Sequence, residues 1–459
     1  MRYISTRGGS PVDFEQAVRE GLAPDGGLFV PESFKPFSAA DLRAMQPLTY
    51  IELAVRVMKD FVAPALSPGE LAALAQDSYA NFGVEEVTPL RKLKDNLHVL
   101  ELFHGPTLAF KDVALQFLSR VFGHIAHKHG GALTVLGATS GDTGSAAIAG
   151  CSGIAGVRVF ILYPEGGPSE LQRRQMTTVE AENVHVLAVK GSFDDCQALV
   201  KRAFQDEDLK KRLQLTAVNS INWARIIAQT VYYFYAGLKA GALEKPVTFA
   251  VPSGNFGNIY AGYVAKRLGL PIKKLLAATN RNDTLARFIQ TGELQPGSVA
   301  QSLSPSMDIQ NPSNLERYVF ELLGRDANAL KTALQSVKEG RGFKLSPAQM
   351  QAMQQEFSGE GVSDEQTRQT ISDVLKNYGV LVDPHTAVGL HAALRQPSAD
   401  TVISLACAHP AKFPETVQKA TGQSVNLPPA LAALRNKRER VTVIPSSDGA
   451  LREFILGHT

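Results

Sequence analysis

LTVLGATSGDTGSAAIAG, residues 133–150, decides the fold. Leu133–Gly137 is an apolar run of strand length, 138–144 is a loop of Gly, Ser, Thr and Asp, and GSAAIAG continues as a helix. A strand that stops at a Gly-rich turn and hands over to an apolar helix opens a βαβ unit. The alternation continues downstream, with strands expected at 157–163, 184–189, 215–218, 247–251 and 275–279. Helices are expected between them at 169–178, 194–204, 222–239 and 257–268. Such alternation builds parallel sheets covered by helices, so the fold class is α/β. Right-handed crossovers then carry the loops that follow the strands to one sheet edge, where ligands bind.

Outward from this core the pattern weakens. Residues 1–95 are mixed and helix-leaning, with apolar spacing near the helical period at 50–61 and 69–79 and turn chemistry in APDGGLFVPE, 23–32. Residues 291–314 form a long stretch without clear periodicity, of the kind that wraps a site. Residues 315–378 are polar and helix-rich, a strand is expected at Val402–Ala406 and a helix at 412–420, and Lys437-Arg438-Glu439-Arg440 reads as a solvated face. Three units follow as expectations: an N-terminal segment 1–95, a smaller sheet domain 96–205 and a larger one 206–459.

Composition bounds the function. The chain has 459 residues, 44% hydrophobic and 20% charged, enough for sizeable cores. A formal net charge of +3 makes no case for nucleic acid or membrane as partner and suits small anionic metabolites. The three cysteines form no CxxC pair, which fits a reducing compartment. MRYISTRGG lacks the apolar region of a secretory signal and no apolar run reaches membrane-spanning length, so the expected location is cytoplasmic. No His, Cys and carboxylate cluster has metal-ligand spacing.

Four loops carry chemistry. SGNFGN, 253–258, follows a strand and precedes a helix. It reads either as a tight strand-to-helix turn or as a phosphate cup made of backbone amides at a helix N-terminus, with Ser253 as a hydroxyl donor. It is neither a Walker loop nor GxGxxG. ATSGDTG, 138–144, is either a cluster of N-cap residues or a loop whose Thr139, Ser140 and Thr143 suit a carboxylate. HGPTLAFKD, 104–112, places Lys111 beside Phe110 and Ala109. An apolar setting makes a lysine a usable amine nucleophile, although most lysines are solvated surface groups. ACAHPAKF, 406–413, puts a thiol, an imidazole and an amine at another strand end, where His409 is either a base or a loop-fixing residue. A reactive lysine, a phosphate cup and a carboxylate loop in one α/β chain form the set that pyridoxal phosphate needs.

With these motifs in place, the chain resembles the bacterial and fungal-type threonine synthases, within the fold-type II pyridoxal phosphate enzymes. The resemblance rests on YISTRG (3–8), DGGLFVPE (25–32), HGPTLAFKD, ATSGDTG, NSINWARI (219–226), SGNFGN, SPSMDIQNPSN (304–314), DPHTAVG (383–389) and AHPAKF (408–413), and spans nearly the whole chain. It implies a tryptophan synthase β-like architecture: two parallel or mixed-sheet domains with flanking helices, an N-terminal helical segment, and the cofactor in the cleft between the domains. It implies Lys111 as the Schiff-base lysine with Phe110 beside it, and Ser253, Gly254, Asn255, Phe256, Gly257 and Asn258 as the cofactor-phosphate loop. Thr139, Ser140, Gly141 and Thr143 are the implied substrate-carboxylate loop, and Asn222, Arg225 and Lys412 the candidates for the substrate's phosphate. Asp142 stands where related enzymes place an Asn near the cofactor's 3′-oxygen, and Cys407 stands where the family pattern has Thr facing the pyridine nitrogen. The implied reaction is a pyridoxal phosphate-dependent elimination and hydration that converts O-phospho-L-homoserine and water to L-threonine and phosphate, in a monomer or dimer. A phospho-lyase releasing 2-oxobutyrate is the rival on the same fold, and a non-catalytic protein binding the cofactor or a phosphometabolite is the rival from another class.

Overall fold

The computed structural model describes residues 1–397 and 399–459. Its frame is two sheets. The larger runs, in spatial order, Phe357–Gly361, Ile272–Thr279, Val247–Pro252, Val402–Ala406, Leu97–Glu101 and Leu90–Lys94. Neighbours in it are parallel except for the last pair, a hairpin with an antiparallel register. The smaller runs Thr442–Pro445, Val184–Lys190, Val157–Pro164, Leu133–Ala138 and Leu215–Thr216, parallel throughout. The two central strands of the larger sheet, VTFAVP and VISLA, are buried at every residue, as parallel strands covered on both faces must be.

The sheets are held together by helices whose apolar residues leave no solvent face. Helix Trp223–Lys239 is buried from Trp223 to Leu238 and packs on helices Tyr50–Val62, Lys111–His129 and Gly257–Arg267. A helix apolar all round belongs inside a large core. The N-terminal helices are set by capping boxes at Ser38/Asp41, Thr49/Glu52 and Ser67/Glu70, each of which satisfies orphan amides at both cap and third position. Strand Tyr3–Ser5 pairs with Phe29–Pro31, and Thr6 and Arg7 both bind Glu316, which ties this segment to the helix after the long loop.

Chain order and sheet membership differ from the expected units. Leu97–Glu101, expected in the smaller domain, pairs with Val402–Ala406 in the larger sheet. Leu215–Thr216 pairs with Leu133–Ala138 in the smaller sheet. The chain's last segment also returns there: Thr442–Pro445 adds an edge strand to Val184–Lys190, and helix Asp448–Gly457 buries Leu451 and Ile455 in the smaller domain's own core. Apolar periodicity identifies a strand, but the sheet it joins is settled by contacts distant in sequence. Residues 291–314 hold little regular structure, a two-residue strand Glu293–Leu294 and a single helical turn Pro305–Met307, as their lack of period implied.

Candidate active site

Three helix N-termini and one strand end converge on Lys111. The lysine opens helix Lys111–His129, and the preceding Phe110 amide donates to the Cys407 carbonyl at 2.8 Å, fixing the helix start against the end of strand Val402–Ala406. The Lys111 side chain is 11% exposed. Its Nζ lies 3.3 Å from Ser306 Oγ, 3.8 Å from Asp142 Oδ2 and 5.9 Å from the centre of the Phe110 ring. Burial pulls its pKa below the ordinary lysine value; Asp142 opposes this, and nearby Lys412 and Arg225 add to it. The arrangement eases loss of a proton to give the free amine, the form that attacks carbonyl carbon and accepts protons.

The SGNFGN loop approaches from the larger sheet. Ser253 Oγ donates to Val251 O and its amide to Ala278 O, so the loop starts rigidly from the strand end. Phe256 adopts φ +61°, a strained value for a bulky residue, and is held there by burial of its ring against Tyr260, Tyr318 and Phe357. Helix Gly257–Arg267 then begins with no side-chain cap. Among the described residues no acceptor is placed for the amides of Gly254 through Asn258, which form a run of free donors at a positive helix end. Asn255 is anchored sideways, its Oδ1 accepting from the Ser313 amide at 2.7 Å and its Nδ2 reaching Ser220. Asn258 Oδ1 accepts from Tyr232 and Tyr233, while its buried Nδ2 has no partner. A Cβ on Gly254 would sit 2.9 Å from Met307 Cα and 3.1 Å from Ser306 O, so the loop and the Lys111 contact residue touch.

ATSGDTG enters from the smaller sheet. Thr139 Oγ1 accepts from the amides of Gly141 and Gly144, both at 2.9 Å, and Gly141 has φ +148°, which a side chain rarely tolerates. At the start of helix Asp142–Cys151 the N-cap residue, Gly141, offers no side chain, so Thr139 takes that part for the Gly144 amide, and the amides of Ser140, Asp142 and Thr143 have no acceptor among the described residues. Both open readings of this loop therefore meet: Thr139 caps, and the remaining amides are left for an anion. A cavity of ≈ 1100 Å³ opens beside Thr139, Thr143 and Gly144, and Lys201, Lys210 and Lys211 line its side.

The expected substrate-phosphate trio divides. Arg225 is 4% exposed and gives Nη1 to Val218 O at 3.1 Å; among the described residues it has no acidic partner and its Nε is unpaired. Burial pulls it down to about 10, which still leaves a full positive charge at neutral pH. A buried guanidinium without a carboxylate is free to pair with an anion. Asn222 departs from the expectation: it is fully buried, its Oδ1 caps the Ala224 amide at 3.1 Å and its Nδ2 binds Val18 O at 2.8 Å, so the side chain is spent on starting a helix. Lys412 also departs from it. Its fully buried Nζ is 2.9 Å from Asp142 Oδ1 and 2.8 Å from Thr107 O.

Asp142 gathers these cations. Burial alone would raise its carboxyl, but Lys412 and Lys111, with a 3.0 Å hydrogen bond from Gln172, hold it well below the usual carboxylate range. It is ionised throughout the working pH range and acts as an acceptor only. Cys407 lies within a shell that pushes its thiol up, through burial and then Asp383, so it stays protonated as a weak donor. His409 takes the structural alternative: its Nδ1 accepts from the Ala411 amide at 3.1 Å and caps the turn that carries Lys412.

Ser306, Gln172 and His385 were not singled out from sequence, although Ser306 and His385 lie inside the motifs SPSMDIQNPSN and DPHTAVG. Serine, glutamine and histidine in a loop or cap carry no periodic signal, and the bonds that tie them to the site cross 30 or more residues. The free amides of 254–258, the unpaired Asn258 Nδ2 and the unpartnered Arg225 fit phosphate groups, and the buried amine of Lys111 fits an aldehyde. The residues present therefore suit pyridoxal phosphate. Among the described residues no group of three His, Cys or carboxylates could hold a metal, and no helix is long and apolar enough to cross a membrane.

Comparison with known proteins agrees with this geometry. Residues 82–407 match the family described as pyridoxal-phosphate dependent enzyme, 2–79 match threonine synthase N terminus and 386–455 match threonine synthase, C-terminal. The chain is 47% identical over 462 residues to the threonine synthase of Pseudomonas aeruginosa, covering 100% of this chain and 98% of that one. It is 43% identical to that of Saccharomyces cerevisiae, covering 97% and 95%. The crystal structure of pyridoxal phosphate-bound threonine synthase from Brucella melitensis superposes with a TM-score of 0.97 at 44% identity, covering 100% of this chain and 99% of that one.

Proposed function

The chain belongs to the threonine synthase family of pyridoxal phosphate-dependent enzymes and turns O-phospho-L-homoserine and water into L-threonine and phosphate, and we propose that Lys111 is the residue through which it does so. The observation that carries the proposal is the setting of the Lys111 amine: buried, with lowered basicity, between two helix N-termini whose amides are unpaired. Pyridoxal phosphate, when bound, supplies the electron sink that makes the bonds around the substrate's α carbon acidic.

The chain's own residues do the rest. The amides of Gly254 to Asn258, with Asn258 Nδ2, would hold the cofactor's phosphate, and Phe110 and the neutral Cys407 thiol would contact its ring. The amides of Ser140, Asp142 and Thr143 hold the substrate's carboxylate, with Gly141 providing the close approach and Thr139 the brace. Arg225 holds the substrate's phosphate and the phosphate ion that leaves. Asp142 fixes Lys412 and keeps the cation of a protonated Lys111 compensated, so that the amine can take and return protons without leaving the pocket.

The test is product analysis with purified protein, pyridoxal phosphate and O-phospho-L-homoserine, beside Lys111→Ala. Threonine and phosphate appear in equal amounts, and the variant makes neither. Release of 2-oxobutyrate in place of threonine would overturn the reaction while leaving the lysine in its role.

A further inference from the structure

Ser306 sits between the three functional loops. Its hydroxyl accepts from Lys111 Nζ at 3.3 Å and is 3.5 Å from Asp142 Oδ2, and its carbonyl lies against Gly254. It belongs to a single helical turn, Pro305–Met307, in a long irregular segment, so local structure alone holds it loosely. The clamp comes from 79 residues away: the Ser306 amide donates to His385 Nε2 at 3.3 Å. An amide can only donate, so Nε2 is the bare nitrogen and Nδ1 carries the proton, which it gives to Asp383 Oδ2 at 2.6 Å.

Asp383 is fully buried and uses both oxygens. Oδ2 holds the imidazole; Oδ1 accepts from the Thr386 amide at 3.0 Å and from the Thr386 hydroxyl. Thr386 Oγ1 in turn accepts from the Cys407 amide at 3.1 Å. One carboxylate thus sets Ser306 through His385 and Cys407 through Thr386, on two sides of the lysine. An ordinary N-cap accounts for the bond to the Thr386 amide at the start of helix Pro384–Leu394. It does not require a buried imidazole turned outward from the cap to meet an amide of another loop.

We propose that Asp383 and His385 are positioning residues for the reaction, acting through Ser306, whose hydroxyl orients the Lys111 amine. This rests on the reading of Lys111 as the cofactor lysine. The imidazole passes no proton in this arrangement. It fixes the height of the Ser306 turn, and with it the direction from which the amine's hydrogen is held and its lone pair is presented.

Two substitutions separate positioning from packing. His385→Asn keeps a donor for Asp383 and has no atom that reaches the Ser306 amide, whereas His385→Gln places an acceptor where Nε2 stood. The readouts are kcat and KM, the rate at which the apoprotein captures pyridoxal phosphate on Lys111 (followed by absorbance and by borohydride trapping with mass analysis), and the thermal midpoint of the apoprotein. The expected result is a kcat about 100-fold lower and slower capture in His385→Asn with KM little changed, the scale of a misplacement near 1 Å, and recovery in His385→Gln to within about tenfold of the original. A His385→Asn protein with unaltered kcat and capture rate overturns the proposal. So does a His385→Gln protein as slow as His385→Asn when both lose the same thermal stability, since packing alone would then explain the effect. Covalent capture that persists in Lys111→Ala would instead overturn the reading of the lysine, leaving the two failures distinct.

Discussion

Lys111 and Arg225 are buried cations with opposite provisions. Lys111 has Asp142 at 3.8 Å, whereas Arg225 bonds the Val218 carbonyl and forms no ion pair among the described residues. An unpaired buried charge costs folding stability, and replacing it with an apolar side chain of similar volume is often neutral or stabilising. Arg225→Met is therefore expected to leave the apoprotein's thermal midpoint unchanged or higher while raising KM for O-phospho-L-homoserine roughly 10- to 100-fold, the worth of a charged hydrogen bond. Differential scanning of apoprotein beside steady-state kinetics checks both halves. Asp112 gives a pH prediction. Burial pushes its carboxyl up to about 6, against hydrogen bonds from the Thr107 amide and hydroxyl. A raised folded value means stability fully present below the unfolded value and lost as pH climbs to about 6. From 3.8 to about 6 the loss is at most about 3 kcal/mol. Urea unfolding of apoprotein at pH 4.5 and 7 is expected to show this slope and Asp112→Asn to flatten it. Asp142 is depressed instead, so its contribution is lost only below the ordinary carboxylate value and does not overlap this window.

At the scale of elements, the site is built where strand ends and Gly-rich loops hand over to helix N-termini that keep free amides. Gly254 is the least forgiving of these junctions, because the two atoms its Cβ would meet first are backbone atoms of Met307 and Ser306, which cannot rotate away. Gly254→Ala is expected to displace the Pro305–Met307 turn, to destabilise the protein by about 1–3 kcal/mol and to weaken pyridoxal phosphate binding. Gly69, in the first turn of helix Pro68–Tyr79 with nothing near its Cβ position, is the control. Gly69→Ala is expected to be neutral or to stabilise by up to about 1 kcal/mol without touching cofactor affinity. Cofactor titration and denaturant midpoints on the two variants decide it.

For the whole molecule, the C-terminal segment closes the smaller sheet from outside. The Arg440 amide binds Thr177 O, Glu439 pairs with Arg173 at 3.0 Å, and Thr442–Pro445 covers the edge of Val184–Lys190. The same strap overlies helix Glu170–Thr177, whose Gln172 holds Asp142. Ending the chain after Arg440 removes Ile444, Leu451 and Ile455 and so uncovers that strand edge and the core around Leu187 and Leu199. The truncated protein is expected to melt several degrees lower and to aggregate at concentrations the full chain tolerates, as unprotected edges do. Melting curves with light scattering check it.

The strand–Gly loop–helix rhythm after residue 133, the lysine in an apolar motif and the two amide loops were legible in the sequence, because each is a local matter of period, backbone freedom and neighbouring residues. Lys111, SGNFGN and ATSGDTG lie where those patterns put them. The bond from Asn222 to the Val18 carbonyl, the pairing of Lys412 with Asp142, the clamp of His385 on Ser306 and the return of Thr442–Pro445 to the smaller sheet were decided by tertiary structure alone. In each of these a short-range polar contact forms between side chains or strands that the chain separates by tens to hundreds of residues, and no sequence pattern encodes which partner a buried hydrogen-bonding group will find.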